Sequence, residues 1–384
     1  MVEAPPPDEG PAGIYLHFPF CKERCTYCDF ATVKGPADAV EPYLAALERE
    51  IATFQRGLPE VADTVYFGGG TPSRMTPTEV RRALEAVRNR FRLLPGSEVT
   101  LEGNPESLSA ERMAGYREAG ITRISIGVQS LDDDVLRRVG RAHDAACASR
   151  AVGAARRVGF DAVSLDLISG LPGEDLSRWR DTVRRAVSLL PDHVSVYLLE
   201  TDKETPLARS IRAGRSAAAD DDTLALAYEH TVSALEGDGY ALYEISSFAR
   251  PGHRSRHNLK YWTDGAYGGF GLGAHGYHAG ARRANTRSLP AYLALLAAPQ
   301  DPVDWADPWD PGRRLAEALI LGLRLAEGVN LDRLGERYGV DLGIAYAEPW
   351  QRAQAAGLIE RNGAEIRLTA RGRICSSELF ADLI

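Results

Sequence analysis

Short runs of β-branched and aromatic residues recur along the first two thirds of the chain, each followed by residues at helical spacing. The predicted strands are Ile14–His17, Asp63–Phe67, Glu98–Leu101, Arg123–Val128, Ala162–Ile168 and Val194–Leu198. Between the first two, Leu44, Leu47, Ile51 and Phe54 mark one apolar helix face. Thr76-Pro77-Thr78-Glu79 reads as a capping box with proline at the first helical position. Gly120 reads as a helix stop. Six alternating strand–helix units predict an α/β fold with a parallel sheet, short of the eight units of a full barrel. The expected core is a partial (β/α)6 TIM-like barrel over residues 13–245.

After residue 245 the rhythm gives way to SSFARPGHRSRHNLKYW and the glycine-rich YGGFGLGAHGYHAG, and residues 246–300 are expected to form a connector. Residues 301–384 predict a smaller, mainly helical domain. A β-hairpin expected at Glu365–Leu368, beside the helix ending in QAAGLIE, suggests a winged-helix-like module. Residues 1–12, acidic and proline-rich, are expected to be a disordered tail and do not resemble a signal peptide.

The length of 384 residues allows more than one domain and a sizeable core. No apolar run approaches the ~18 residues of a membrane-span candidate. The formal net charge of −8 argues against a generic nucleic-acid binder. Of five cysteines, Cys147 and Cys375 stand alone, whereas Cys21, Cys25 and Cys28 fall in YLHFPFCKERCTYCDF. That clustering suggests a metal site in a reducing compartment, hence a cytoplasmic protein. A structural zinc site needs four protein ligands, and no second cysteine pair is present. A four-iron, four-sulfur cluster held by three cysteines leaves one iron with an open position.

The spacing C-x3-C-x2-C, with Tyr27 before the last cysteine, resembles the signature of the radical S-adenosylmethionine superfamily. That resemblance implies a [4Fe-4S] cluster on Cys21, Cys25 and Cys28, with S-adenosylmethionine chelating the open iron. It implies that Gly69, Gly70 and Thr71, in the GGGTP after the second strand, meet the methionine amino group. Tyr15 and Tyr27 are implied on the adenine or sulfonium side. Glu102, Gln129 and Asp166 are implied at ribose or methionine polar groups, and Arg141 at the methionine carboxylate. The GGGTP loop, Glu102 and Gln129 fall at C-terminal strand ends, where barrel sites lie, with Arg141 just beyond and Asp166 inside the fifth strand. Read singly, Glu102 fits a solvated strand end, Gln129 a helix cap and Arg141 a surface cation. Asp166, on the apolar strand VSLDLI, needs a partner. His17 and His143 are expected to support the cofactor site.

More narrowly, YLHFPFC, GVQS with GRAH behind it, DLISGLPG and YEISSFARPG resemble the branch related to oxygen-independent coproporphyrinogen III oxidase. Phe30 stands where that oxidase has a further cysteine, and fourteen residues precede Tyr15 where it has a long extension. HNLKYW matches the HNxxYW of the HemW family of haem chaperones. This resemblance implies haem as a ligand and delivery to haem-accepting apoproteins, with respiratory-chain proteins as candidates. His257, Tyr261 and Trp262 offer an imidazole and two rings for haem, with His275 and His278 as further imidazoles. A structural anchor for the connector is the other reading of that motif. The competing functions are a radical enzyme acting on a tetrapyrrole, such as the anaerobic coproporphyrinogen III oxidase, and a nucleic-acid-modifying enzyme. The acidic balance disfavours the latter.

Overall fold

The computed structural model describes residues 10–35, 37–55, 57–307 and 310–384. Six parallel strands run in sequence order: β1 (Ala12–Phe18), β2 (Val61–Gly69), β3 (Arg92–Gly103), β4 (Arg123–Gln129), β5 (Ala162–Ser169) and β6 (His193–Leu198). They alternate with α1 (Val40–Thr53), α2 (Pro77–Arg90), α3 (Ala110–Ala119), α4 (Ala145–Val158), α5 (Leu176–Ser188) and α6 (Asp221–Gly237). The expected α/β barrel-like core is therefore present. The strand order does not close on itself.

Local chemistry fixes these elements as the sequence suggests. Thr76 accepts from the Glu79 amide at 3.2 Å while the Glu79 carboxylate takes the Thr76 amide at 2.6 Å, so α2 opens on a complete capping box. Gly120 ends α3 at φ 110°, a conformation that a side chain disfavours. Leu44, Leu47 and Ile51 are buried on the face of α1 that packs on the sheet.

The stretch expected to be a connector carries sheet. β7 (Ala241–Glu244) and β8 (Ser247–Ala249) extend the edge beside β6, β8 antiparallel to it. At the other edge, β9 (Tyr267–Phe270) pairs parallel with β1, followed by antiparallel β10 (His275–His278), β11 (Ala281–Asn285) and β12 (Val303–Asp307). The glycines that suggested an irregular linker permit strand contact instead. A Cβ on Gly269 would lie 2.0 Å from the His275 carbonyl oxygen. Between β8 and β9 sits the helix of the HNxxYW motif, α7 (Arg256–Trp262).

The C-terminal part runs α8 (Pro311–Leu323), β13 (Val329–Asn330), α9 (Leu331–Tyr338), α10 (Ala347–Ala355), β14 (Ile359–Asn362) and β15 (Glu365–Leu368). β15 lies between β13 and β14, so the hairpin forms, with the third strand of a winged-helix-like sheet beside it. Leu315, Leu319, Trp350, Ile366 and Leu368 belong to a separate apolar cluster. Of the tail expected at residues 1–12, residues 1–9 lie outside those described. Ala12 already belongs to β1, and Lys260 Nζ donates to the Pro11 carbonyl at 2.6 Å. Among the described residues, no helix is long and apolar enough to cross a membrane.

Candidate cofactor site and barrel interior

The cysteine loop begins where β1 ends, so all three thiols sit at the C-terminal end of the barrel strands. Thr71 Oγ1 lies 3.4 Å from Cys21 Sγ, which brings the GGGTP loop against the first cysteine. A Cβ on Gly70 would stand 2.6 Å from the Pro19 carbonyl, so only glycine permits this approach. The Thr26 amide and hydroxyl donate to the Val139 carbonyl at 3.4 and 3.2 Å, and the Leu207 amide donates to the Thr26 carbonyl at 2.8 Å. These bonds pin the loop to the far side of the barrel. Burial raises the pKa of Cys21 and pushes that of Cys28 up to about 11. Cys147 and Cys375 lie elsewhere and form no disulfide.

Arg141 crosses the opening. Its guanidinium donates to Asn104 Oδ1 at 2.9 Å and to the Gly127 carbonyl at 2.5 Å, and lies 3.5 Å from both Cys25 Sγ and the Tyr27 hydroxyl. Its Nε is buried without a partner, and among the described residues no carboxylate pairs with it. The Glu106 carboxylate acts on it only through its charge, without an ion pair.

Below this rim the barrel interior is polar. Tyr66 Oη donates to Glu102 Oε1 at 2.8 Å, and the Gly69 amide donates to Glu102 Oε2 at 3.3 Å. Ser125 Oγ donates to Asp166 Oδ2 at 3.0 Å, supplying the partner that Asp166 needs on its strand. Burial pushes Glu102 up to about 7; the Tyr66 hydrogen bond opposes this and the Asp166 charge adds to it. Burial likewise raises Asp166. Tyr15, Tyr66, Glu102, Gln129 and Asp166 are only half-buried. Gln129 ends β4 at φ 69°, an uncommon conformation for a residue with a Cβ and one that recurs at functional sites. Tyr15 Oη bonds His17 Nδ1 at 3.1 Å, and His17 Nε2 reaches the Ala31 carbonyl at 2.9 Å, tying β1 to the cysteine loop. His143 Nε2 reaches the Val128 carbonyl at 3.1 Å, beside Gln129.

Tyr66, Asn104 and Ser125 were not singled out from the sequence, although a signal was available. Thr64 and Tyr66 alternate with apolar neighbours on β2, Ser125 and Gly127 on β4, Ser164 and Asp166 on β5. Read at period two, this marks a sheet face that is not hydrophobic core.

The HNxxYW motif lies on the barrel floor, where the expectation for His257 needs correction. His257 is fully buried, with Nδ1 bonded to Thr64 Oγ1 at 2.8 Å and Nε2 to Tyr261 Oη at 2.9 Å. Both ring nitrogens are occupied, so no lone pair is offered to a haem iron. Burial lowers its pKa to about 3, and the ring stacks on Tyr66 at 5.1 Å between centroids. Tyr15 stacks on Tyr66 at 6.2 Å. Glu98 Oε1 and Oε2 accept from the amides of His257 and Arg256 at 3.1 and 3.2 Å, holding the first turn of α7. Trp262 turns toward the C-terminal module, where Arg324 lies 4.6 Å over its ring. The motif is thus an anchor in this fold. His278 is buried against Phe54, whereas His275 is exposed.

Comparison with known proteins accords with this architecture. Residues 15–186 match the Radical SAM superfamily and residues 310–375 the HemN C-terminal domain. The solved structure of coproporphyrinogen III oxidase (HemN) from Escherichia coli superimposes with a TM-score of 0.84, covering 97% of this chain and 90% of that one at 21% identity. That likeness establishes the fold. Curated relatives named heme chaperone HemW run nearly full length. The one from Bacillus subtilis is 35% identical over 95% of this chain and 97% of its own. The one from Mycobacterium tuberculosis H37Rv is 40% identical over 99% and 96%. With such identity sustained from the cysteine loop to the C-terminal module, the chain belongs to the HemW family of the radical SAM superfamily.

Proposed function

We propose that the chain binds haem and passes it to apoproteins, on a scaffold that holds a [4Fe-4S] cluster and S-adenosylmethionine. The observation that carries this reading is the near full-length identity to relatives named as haem chaperones. Phe30, where the related oxidase has a further cysteine, supports it.

The residues fit the two groups that the superfamily implies. Three thiols on one loop suit a cluster in which each thiolate takes its own iron. Arg141, with its orphaned Nε, suits a carboxylate at the rim. In this reading Cys21, Cys25 and Cys28 hold the cluster, and Gly69, Gly70 and Thr71 present the loop backbone to the methionine amino group. Arg141 takes the methionine carboxylate. Glu102, Gln129 and Asp166 face its polar groups and ribose, with Tyr15 and Tyr27 on the adenine or sulfonium side. When bound, the two groups together supply a reducible sulfonium. The protein orients it, and Glu102, near neutrality in its titration, matches charge to a cationic ligand.

The proposed division is a core at 13–245, a segment at 246–300 that adds strands to the sheet, and a C-terminal domain at 301–384; the separate apolar cluster from Leu315 onward supports the last, although β12 at its start still pairs with β11 of the main sheet. The proposed compartment is the cytoplasm, supported by five free thiols. Recipients are haem-accepting apoproteins, with respiratory-chain proteins the first to try. The test is anaerobic reconstitution followed by haemin titration, with parallel assays of deoxyadenosine formation and coproporphyrinogen III turnover. Saturable haem binding without turnover supports the carrier; steady decarboxylation of coproporphyrinogen III replaces it with the enzyme.

A further inference from the structure

With both ring nitrogens of His257 bonded in the barrel floor, an accessible imidazole elsewhere is the first candidate for haem iron if the proposed function holds. His17, His143, His193 and His257 are buried and hydrogen-bonded, and His278 is buried against Phe54. His230, on α6, and His253, in the loop between β8 and α7, are half-buried, and neither ring contacts another aromatic ring among the described residues. His275, at the start of β10, is exposed, and its ring makes no hydrogen bond among the described residues. Although the residue is exposed at the surface, partial desolvation of its ring, with the nearby Arg287 and Arg282, lowers its pKa, which favours the neutral ring that a metal requires.

Three features surround it. His275 pairs with Ala284 on β11 and Ala284 with Trp305 on β12, so the three side chains form one row on one face. The alanine leaves room for imidazole and indole to approach, with centroids 6.4 Å apart, and Trp305 remains 46% exposed. Arg287 is exposed, with no carboxylate in ion-pair range among the described residues, and it donates to the Asp29 carbonyl at 3.0 Å. That bond brings it to the cysteine loop, whose next residue, Phe30, is 60% exposed. An unbonded imidazole, a guanidinium without a carboxylate partner and two exposed aromatic rings near the cysteine loop match the parts of haem: iron, propionate and apolar macrocycle.

We propose that this surface is the haem site, with His275 as an axial ligand, Arg287 pairing with a propionate, and Trp305 and Phe30 against the porphyrin. The proposal rests on the haem-binding reading above and places the haem beside the cluster loop.

The test is haemin titration of the full-length, anaerobically reconstituted protein, following the Soret band and the ferric EPR spectrum. Wild type, His275→Ala, Arg287→Met and His278→Ala are compared, with cluster content as the folding control. His275→Ala should lose the imidazole-ligated spectrum, weaken binding about tenfold or more, and regain the spectrum when free imidazole is added. Arg287→Met should weaken binding and keep the spectrum, and His278→Ala should change neither. A wild-type spectrum and affinity in His275→Ala overturns this site while leaving the carrier reading intact. Absence of haem binding by wild type overturns the carrier reading and the site with it.

Discussion

Tyr66→Phe is the most informative single change in the barrel, because it removes one donor and keeps the ring between Tyr15 and His257. Glu102 titrates at about 7, raised by burial and Asp166 and held down by the Tyr66 hydroxyl. A hydrogen bond to a charged group contributes about 1.5–3 kcal/mol. At about 1.4 kcal/mol per pH unit, losing it moves the Glu102 midpoint up by about one to two units. The sign follows from charge: the hydroxyl stabilises the carboxylate, so its loss favours the neutral acid. In wild type about half the molecules carry the carboxylate at neutral pH; after a one-unit rise about a tenth do. If the carboxylate is the form that receives S-adenosylmethionine, its apparent affinity at neutral pH falls about fivefold. The loss should be recovered about two units higher, near pH 9. Calorimetric titration of the reconstituted protein across that range measures the midpoint in both proteins. A midpoint that stays in place, or moves down, refutes the Tyr66–Glu102 coupling. If Glu102→Gln binds as wild type does, Glu102 is not at the cofactor at all.

Replacing Cys21, Cys25 or Cys28 with alanine should abolish the cluster by iron analysis and EPR, whereas Cys147→Ala and Cys375→Ala should leave it whole; a full cluster in the triple variant sinks the assignment. Arg141→Ala should weaken S-adenosylmethionine binding about tenfold or more at normal cluster content, since a charge-assisted pair is lost; unchanged affinity returns Arg141 to a structural role at the rim. His257 has a folded-state pKa of about 3 against an ordinary 6.5, so the unfolded chain takes up its proton first. Stability should therefore decline as pH falls from about 6.5 toward 3, and His257→Gln should flatten that decline in denaturant titrations. Equal slopes in the two proteins would show that His257 is not buried as described.

The sequence exposed the core because its strands are apolar runs with local boundaries. All six parallel strands lie where the runs are, extended by a few residues, and the capping box at Thr76 and the stop at Gly120 depend only on neighbours in sequence. The sheet edges were hidden for the opposite reason. β9 pairs with β1 across more than two hundred residues, and its glycines, needed for the approach of β10, remove the β-branched residues that mark a strand. β13 is too short to show a period. At the site, the cysteine spacing was legible because three ligands share one loop. The Tyr66–Glu102 bond joins two strands, and only the polar alternation on β2 hinted at it. The HNxxYW motif left two readings open for a chemical reason. An imidazole beside two aromatic rings describes a haem pocket and a packed barrel floor equally well, and only the partners on Nδ1 and Nε2 decide.

The central claim is that this chain carries haem, and equilibrium haemin titration of the anaerobically reconstituted protein tests it most directly. The account predicts a Soret band that saturates at about one haem per chain, with the spectrum of an imidazole-ligated iron. A titration that shows no saturable band, only the spectrum of free haemin at every ratio, contradicts it.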